Sequence, residues 1–289
     1  YFITLCLVNL ITINVIDLTG YGHTNSLTYV QLWLLFPILM IYGIEYKTLP
    51  SFLGFIRPRK TFAIASLASL SICMISGLMS VIFMDMLVLS TIFNITLFAS
   101  ALAFANSTYA FGGFDNSEII RLIKGEKKAR YSFIVIHIRI SFLFLFTGIL
   151  LAFFSGIFDQ FFAFYDLAIH NIAIGFIGLS ITLYLPLMLP PITGKVIRFT
   201  SLKRIPLLLI IISLSLRAIA DFITAQPFYA YSSTLAMPEH TSSVSVLTYL
   251  FGLSGWLVVV AILVFVIIIH KSMNEVAVMP GDSNTNSIS

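Results

Sequence analysis

Apolar runs of roughly 16–28 residues recur eight times along this chain, each long enough or nearly so to cross a bilayer core about 30 Å thick. They fall at about 1–16, 28–45, 61–84, 87–111, 132–157, 164–190, 205–224 and 244–270. In lipid such runs must be helices, because every backbone N–H and C=O needs a partner inside its own segment. The segments between them carry basic residues in strict alternation. One set holds Lys47, Arg57, Arg59 and Lys60, then Arg121, Lys124, Lys127, Lys128 and Arg130, then Lys195, Arg198, Lys203 and Arg204, and last Lys271. The other set, around residues 17–27, 85–86, 158–163 and 225–242, holds no Lys or Arg. Positive charge stays on the cytoplasmic side. The sequence therefore predicts an all-α polytopic transmembrane helix bundle of about eight spans with both visible ends cytoplasmic. Of the 16 Lys and Arg, only Arg139 and Arg217 fall inside spans.

Composition narrows the function classes. The chain is 59% hydrophobic and 10% charged, against about 25% charged in soluble domains. Its net charge of +4 is a topology signal; no basic cluster with interleaved aromatics points to nucleic acid. Cys6 and Cys73 lie in different spans and make neither a metal spacing nor a disulfide framework. Residues 1–273 read as one transmembrane domain and 274–289 as a polar cytoplasmic tail, expected to be disordered. The stretch Asp115–Arg130 reads as a short interfacial helix, with Ile119, Ile120, Leu122 and Ile123 beside basic residues, starting at Asn116 or Ser117 and ending at Gly125. The chain opens at Tyr1 inside an apolar run, so the first span is expected to continue upstream, by a few residues or by whole spans. A signal peptide is the weaker alternative, because no basic n-region or small-residue cleavage site is visible.

Ionisable side chains at bilayer depth cost at least about 2.5–3.5 kcal/mol on insertion scales, so those present need a reason. Asp166 and His170 are four apart on span six and share a face. A carboxylate one turn from an imidazole can orient it, as a partner does for a metal-ligating His; a helix-start acid beside a packed His is the plainer alternative. Arg217 and Asp221 are four apart on span seven and can pair along the helix. Arg217 and His170 each lie about seven residues from the outer boundary, roughly 10 Å deep. At that common level they could meet a haem iron and its propionates, or an anionic head group; the plainer alternative is a structural ion pair. His137 and Arg139 sit near the cytoplasmic boundary of span five, on different faces. His137 and His170 are separated by roughly 10 Å in depth, which argues against their being two axial ligands of one haem. His23 or His240 is then the candidate second ligand. Asp17, Asp85, Asp159, Asp166, Asp221 and Glu239 are expected to leave the outer face acidic and to steer a basic partner towards it.

From His170 the chain reads HNIAIGFIGLSITLYLPLMLPPITGKVIRF, followed by a leucine-rich span that closes on Arg217. This stretch, about residues 170–217, resembles the NnrS-like family of polytopic haem- and copper-associated membrane proteins, through His170, Gly175, Phe176, Gly178, Pro186, Pro190, Gly194, Lys195 and Arg217. The family tends to have about a dozen spans and several intramembrane His, whereas this chain has eight visible spans and two His clearly inside them. In its Ile- and Ser-rich composition the chain also looks like a membrane partner subunit of an archaeal cell-surface cytochrome b. The resemblance implies an integral membrane subunit of a respiratory redox complex, anchoring an extracytoplasmic redox partner among other membrane subunits. It further implies a b-type haem or a quinone held near His170 and Arg217, with His170 as the iron ligand, and an electron-transfer or non-catalytic part. The alternatives are a secondary transporter that uses the intramembrane Arg, Asp and His pairs, and a purely structural anchor with every buried charge paired. The cell membrane is the expected location.

Overall fold

The computed structural model describes residues 1–19, 27–53, 58–83, 86–112, 126–157, 162–193, 204–233 and 242–274. The helices are α1 (Phe2–Thr19), α2 (Leu27–Leu53), α3 (Lys60–Ile82), α4 (Leu87–Ser107) and α5 (Glu126–Ile157). A composite rod follows, made of α6 (Phe162–His170), a π-helical stretch (Asn171–Gly178) and α7 (Leu179–Thr193). α8 (Ile205–Ser233) and α9 (Ser242–Asn274) complete the chain. Among the described residues, seven helical segments are long and apolar enough to cross a membrane, and Phe2–Leu18 is a shorter apolar helix. The chain is a multi-pass membrane helix bundle.

Side-chain contacts fix which helix ends lie together. At one end the Arg59 N–H donates to Ser107 O at 3.1 Å, and Arg204 Nη2 donates to Ser132 Oγ at 3.2 Å. These bring the start of α3 to the end of α4, and the start of α8 to the start of α5. At the other end the Tyr29 hydroxyl donates to Asp17, and Thr28 and Ser90 hydroxyls bond at 3.1 Å. The described basic residues flanking the spans belong to the first end, which the positive-inside rule makes cytoplasmic.

Several helices overrun their apolar runs. α2 continues to Leu53, and α8 to Ser233. A helix need not stop where hydrocarbon stops; in the interfacial layer its backbone remains best satisfied by its own ladder, and tilt takes up extra length. α5 begins at Glu126, directly after the expected end of the interfacial helix at Gly125. That expected helix lies outside the described residues, as does the tail beyond Asn274.

Ring stacking marks the core. Tyr42 of α2 lies flat on Phe104 of α4, with centroids 3.9 Å apart and planes 5° apart. Phe142 of α5 and Phe176 of the π-helical stretch close around that pair. Neutral polar clamps join helices in the same region. Gln31 Nε2 donates to Asn94 Oδ1 at 3.0 Å, and the Ser66 and Ser100 hydroxyls bond at 3.0 Å. Glycines permit the tightest approaches: a Cβ on Gly77 would sit 2.6 Å from the Phe93 ring. A smaller cluster, Leu179, Leu207, Ile210, Leu214 and Ala261, attaches α8 and α9 to the flank. α9 packs mainly on α8 and turns Tyr249, Trp256 and Ile267 outward, as expected of a lipid-facing helix.

Candidate functional site

The outer ends of α6 and α8 meet over one carboxylate. Asp166 lies in the second turn of α6, where Ala163, Leu167 and Ala168 are buried and seat the helix against its neighbours. From α8, Arg217 donates to it through both arms of its fork, Nε to Oδ2 at 2.5 Å and Nη2 to Oδ1 at 2.9 Å. A planar guanidinium matched to a carboxylate in this way is the strongest and most directional form of ion pair. The Arg217 guanidinium also lies 5.5 Å from the centre of the Phe251 ring of α9, so three helices converge on it. The pairing corrects the sequence expectation. Arg217 bonds across to α6 and not along its own helix to Asp221, because the cross-helix carboxylate offers both oxygens at once.

Asp221 is nonetheless part of the cluster. Its carboxyl lies against that of Asp166, it is 1% exposed, and neither of its oxygens has a hydrogen-bond partner among the described residues. Asp166 and Asp221 therefore belong to the interior, not to the acidic outer surface expected from the sequence. Of the other expected surface acids, Asp17 accepts from Tyr29, whereas Asp85, Asp159 and Glu239 lie outside the described residues.

His170 completes the group. Its Nδ1 is 2.8 Å from the Asp166 carbonyl oxygen and 3.4 Å from Asp166 Oδ1. A carbonyl oxygen only accepts, so Nδ1 carries the hydrogen, and in the neutral ring Nε2 is left with a lone pair. The cluster thus joins two carboxyls, one guanidinium and one imidazole in poorly hydrated surroundings. Electroneutrality requires one proton beyond the charge that Arg217 supplies, held on a carboxyl or on His170. The chemistry on offer is proton exchange, or capture of a ligand that donates to Nε2.

The helix directly after His170 widens into the π-helical stretch, a local unwinding that recurs at functional sites. Close packing supplies a structural cause for it. A Cβ on Gly175 would lie 2.5 Å from the Phe144 ring, and a Cβ on Gly148 would lie 2.7 Å from Ile172. α5 and the rod are pressed together here, and the wider turn accommodates the contact.

The second expected pair does not join this site. His137 is 1% exposed, its Nδ1 donates to Phe133 O at 2.8 Å, and the Phe133 ring stands 4.0 Å away. Arg139 donates from Nε to Ala110 O at 3.3 Å, a contact with the chain just after α4. His23 and His240 lie outside the described residues, and His270 is exposed near the end of α9. Among the described residues no three His, Cys, Asp or Glu are grouped to hold a metal ion.

One buried acid escapes a reading of the sequence. Glu45 sits at the edge of an apolar run, two residues before Lys47, and so looks like an ordinary cytoplasmic helix end. In the structure it is 0% exposed. Its helical neighbours Tyr42, Ile41 and Leu49 are the signal that could have found it, because they place Glu45 on a buried stripe. No protein-family model, no curated protein and no solved structure matches this chain.

Proposed function

We propose that this protein is the integral membrane subunit of a respiratory redox complex in the cell membrane, and that His170 with Asp166, Arg217 and Asp221 is its outer-leaflet site for a redox group. The observation that carries the reading is the fixed imidazole. His170 Nδ1 is committed to the Asp166 backbone, and Arg217 pins the Asp166 carboxylate beside it. Nε2 is therefore presented in one orientation with a carboxylate behind it, the arrangement that presets a ligating or proton-accepting His. The resemblance of residues 170–217 to the NnrS-like family, or to a membrane partner of an archaeal cell-surface cytochrome b, points the same way. Its Gly175 and Phe176 lie in the π-helical stretch and its Pro186 is buried; Gly194 and Lys195 lie outside the described residues.

Of the two groups considered, a quinol fits the site better than a b-type haem. A haem would use His170 as an axial ligand and supply one-electron chemistry, but Arg217 already holds Asp166 and is not available to a propionate. A bound quinol would supply electron and proton chemistry, its electrons going to a one-electron acceptor. His170 Nε2 would hold its hydroxyl and could take that proton, Asp166 at 3.4 Å would stabilise the imidazolium, and a carboxyl of the cluster or water could take the second proton. The test is binding of a short-chain quinone to the purified protein in lipid nanodiscs. Saturable binding weakened tenfold or more in H170A supports the site; binding equal in wild type and H170A overturns it. An oxidised-minus-reduced optical spectrum with a b-type signal lost in H170A selects haem instead.

A second reading, a secondary transporter, is favoured by Asp221. Its carboxyl has no hydrogen-bond partner among the described residues but lies within reach of the Arg217 that now serves Asp166. Transfer of the guanidinium between these acids would be a two-state charge switch of the kind transporters use. Proton flux in proteoliposomes that D221N abolishes would select this reading over the first.

A further inference from the structure

We infer that Glu45 is the proton-binding group of a second site, near the cytoplasmic end of the bundle and distinct from the His170 cluster. Both oxygens of Glu45 lack a hydrogen-bond partner among the described residues, and the residue is 0% exposed. The ion pairs among the described residues link Asp166 to Arg217 and to His170; none reaches Glu45. An isolated carboxylate without a cation or hydrogen bonds is among the costliest groups to place in a low-dielectric interior. A carboxyl that carries a proton removes most of that cost, and Glu45 is therefore assigned as a proton carrier.

The surroundings are built for both states of such a group. Two phenol hydroxyls stand by it without hydrogen-bond partners among the described residues: Tyr184 from α7, 6% exposed, and Tyr42 from its own helix, 0% exposed. Tyr184 is the immediate neighbour of the carboxyl, although neither group completes a hydrogen bond of good geometry. A hydroxyl rotates to donate to a carboxylate or to accept from a carboxylic acid, so these phenols can solvate Glu45 whether or not it holds its proton. From α3 the buried thiol of Cys73 lies by Tyr42. On α2, Lys47 is exposed two residues on, where a helical side chain points to a different face. Exposed Lys47 lies two residues beyond Glu45 on the side of the basic residues, so the carboxyl lies near the cytoplasmic interface. The proton comes from water on that side and returns to it, with no redox partner needed.

The rod makes the location informative. Tyr184 lies on the same rod as Asp166 and His170, on the far side of the π-helical stretch. Fourteen residues separate His170 from Tyr184, roughly 21 Å at 1.5 Å per residue. One composite helix therefore contributes to an acid site near each membrane face.

The experiment is infrared difference spectroscopy of the full-length protein in lipid, recorded between low and high pH. The expected result is a carboxylic-acid C=O band at low pH that shifts in heavy water, is missing in E45Q and survives in D221N. The variant Y184F removes the adjacent hydroxyl and is expected to keep the band but move its frequency, a result that does not depend on E45Q folding well. A carboxylic-acid region identical in wild type and E45Q overturns the assignment, and so does a band in Y184F that does not move. A band that responds to removal of sodium rather than to pH also overturns it, in favour of an alkali cation.

Discussion

Asp166 and Glu45 are both buried carboxyls, one near each end of the same bundle; Asp166 lies on the composite rod and Glu45 lies beside it. The fold treats them in opposite ways. Asp166 has a guanidinium on both oxygens and an imidazole one turn away. Among the described residues Glu45 has no cation and no completed hydrogen bond, only two phenols nearby. The difference teaches what each can do. A carboxylate held bidentately by Arg is fixed as an anion and serves as a geometric anchor for its neighbours. A carboxyl without a cation is tolerable only with a proton, and so it exchanges one. Burial alone distinguishes neither role; the partner does.

The comparison breaks most directly at Arg217. R217A leaves Asp166 buried beside Asp221 with no cation, and removing one partner of a buried pair costs about 3–5 kcal/mol. We expect the largest loss of stability here, read as a lower thermal midpoint in detergent–lipid micelles, with Asp166 the first group to lose its order. R217K is expected to recover part of the loss but not the bidentate geometry. If R217A is no less stable than wild type, Asp166 is not held by charge and the contrast with Glu45 collapses.

The rod that links the two sites should be the next most sensitive element. G175V forces two extra methyl groups and a Cβ into space now filled by the Phe144 ring. Overpacking of this kind costs about 1–3 kcal/mol. Because Phe144 lies on α5, the expected outcome is a shift of the rod that disturbs both sites together, read as weaker quinone binding and a changed Glu45 infrared band in one variant. A variant that alters one site and spares the other would show that the rod does not connect them.

E45Q sharpens the contrast from the other side. It replaces a protonated carboxyl by an amide of nearly equal shape, and volume-conserving changes cost under about 1.5 kcal/mol. We expect its thermal midpoint to stay close to wild type, whereas D166N, which strands Arg217, should fall well below it. Equal losses in E45Q and D166N would mean that Glu45 is an ionised carboxylate with a cation of its own.

Much of this architecture was readable from the amino-acid order, for a physical reason. Lipid penalises unsatisfied backbone and charge strongly enough that spans appear as apolar runs and basic loops fall on one side. The helices found at Lys60–Ile82 and Leu87–Ser107 sit close to those runs. The same penalty drew attention to Asp166, His170, Arg217 and Asp221 one by one. Their pairing was not readable. Arg217 and Asp221 satisfy the local four-residue rule, and nothing in the chain says that α6 will come close enough to offer a better carboxylate. His137 shows the converse failure. It carries the same imidazole-to-carbonyl bond one turn back as His170, yet packs against Phe133 with no acid beside it among the described residues. Glu45 stayed hidden because hydropathy averages over a window, and a window ending at Tyr46 and Lys47 looks like a helix leaving the membrane. The π-helical stretch was equally invisible, since it arises from the press of Phe144 on Gly175 and of Ile172 on Gly148, which only the packed structure defines.

The smallest expected effect gives the comparison its baseline. Gln31 and Asn94 form a buried interhelical hydrogen bond with no formal charge, Nε2 to Oδ1 at 3.0 Å. Hydrogen bonds between membrane helices average about 0.6 kcal/mol in double-mutant cycles, because the unfolded chain in lipid also finds partners. A cycle of Q31A, N94A and the double variant should therefore return a coupling of that order, measured by reversible unfolding in mixed micelles. Asn94 also donates to Ser90 O at 3.0 Å within its own helix, so N94A alone should cost more than the coupling. Set beside a cycle of D166N, R217A and their double variant, this neutral pair separates what charge adds from what any buried polar contact adds. A coupling at Gln31–Asn94 as large as that at Asp166–Arg217 would mean that the ion pair is an ordinary interhelical clamp. Asp166 would then hold His170 by shape and not by charge, and the redox reading of that cluster would lose its electrostatic basis.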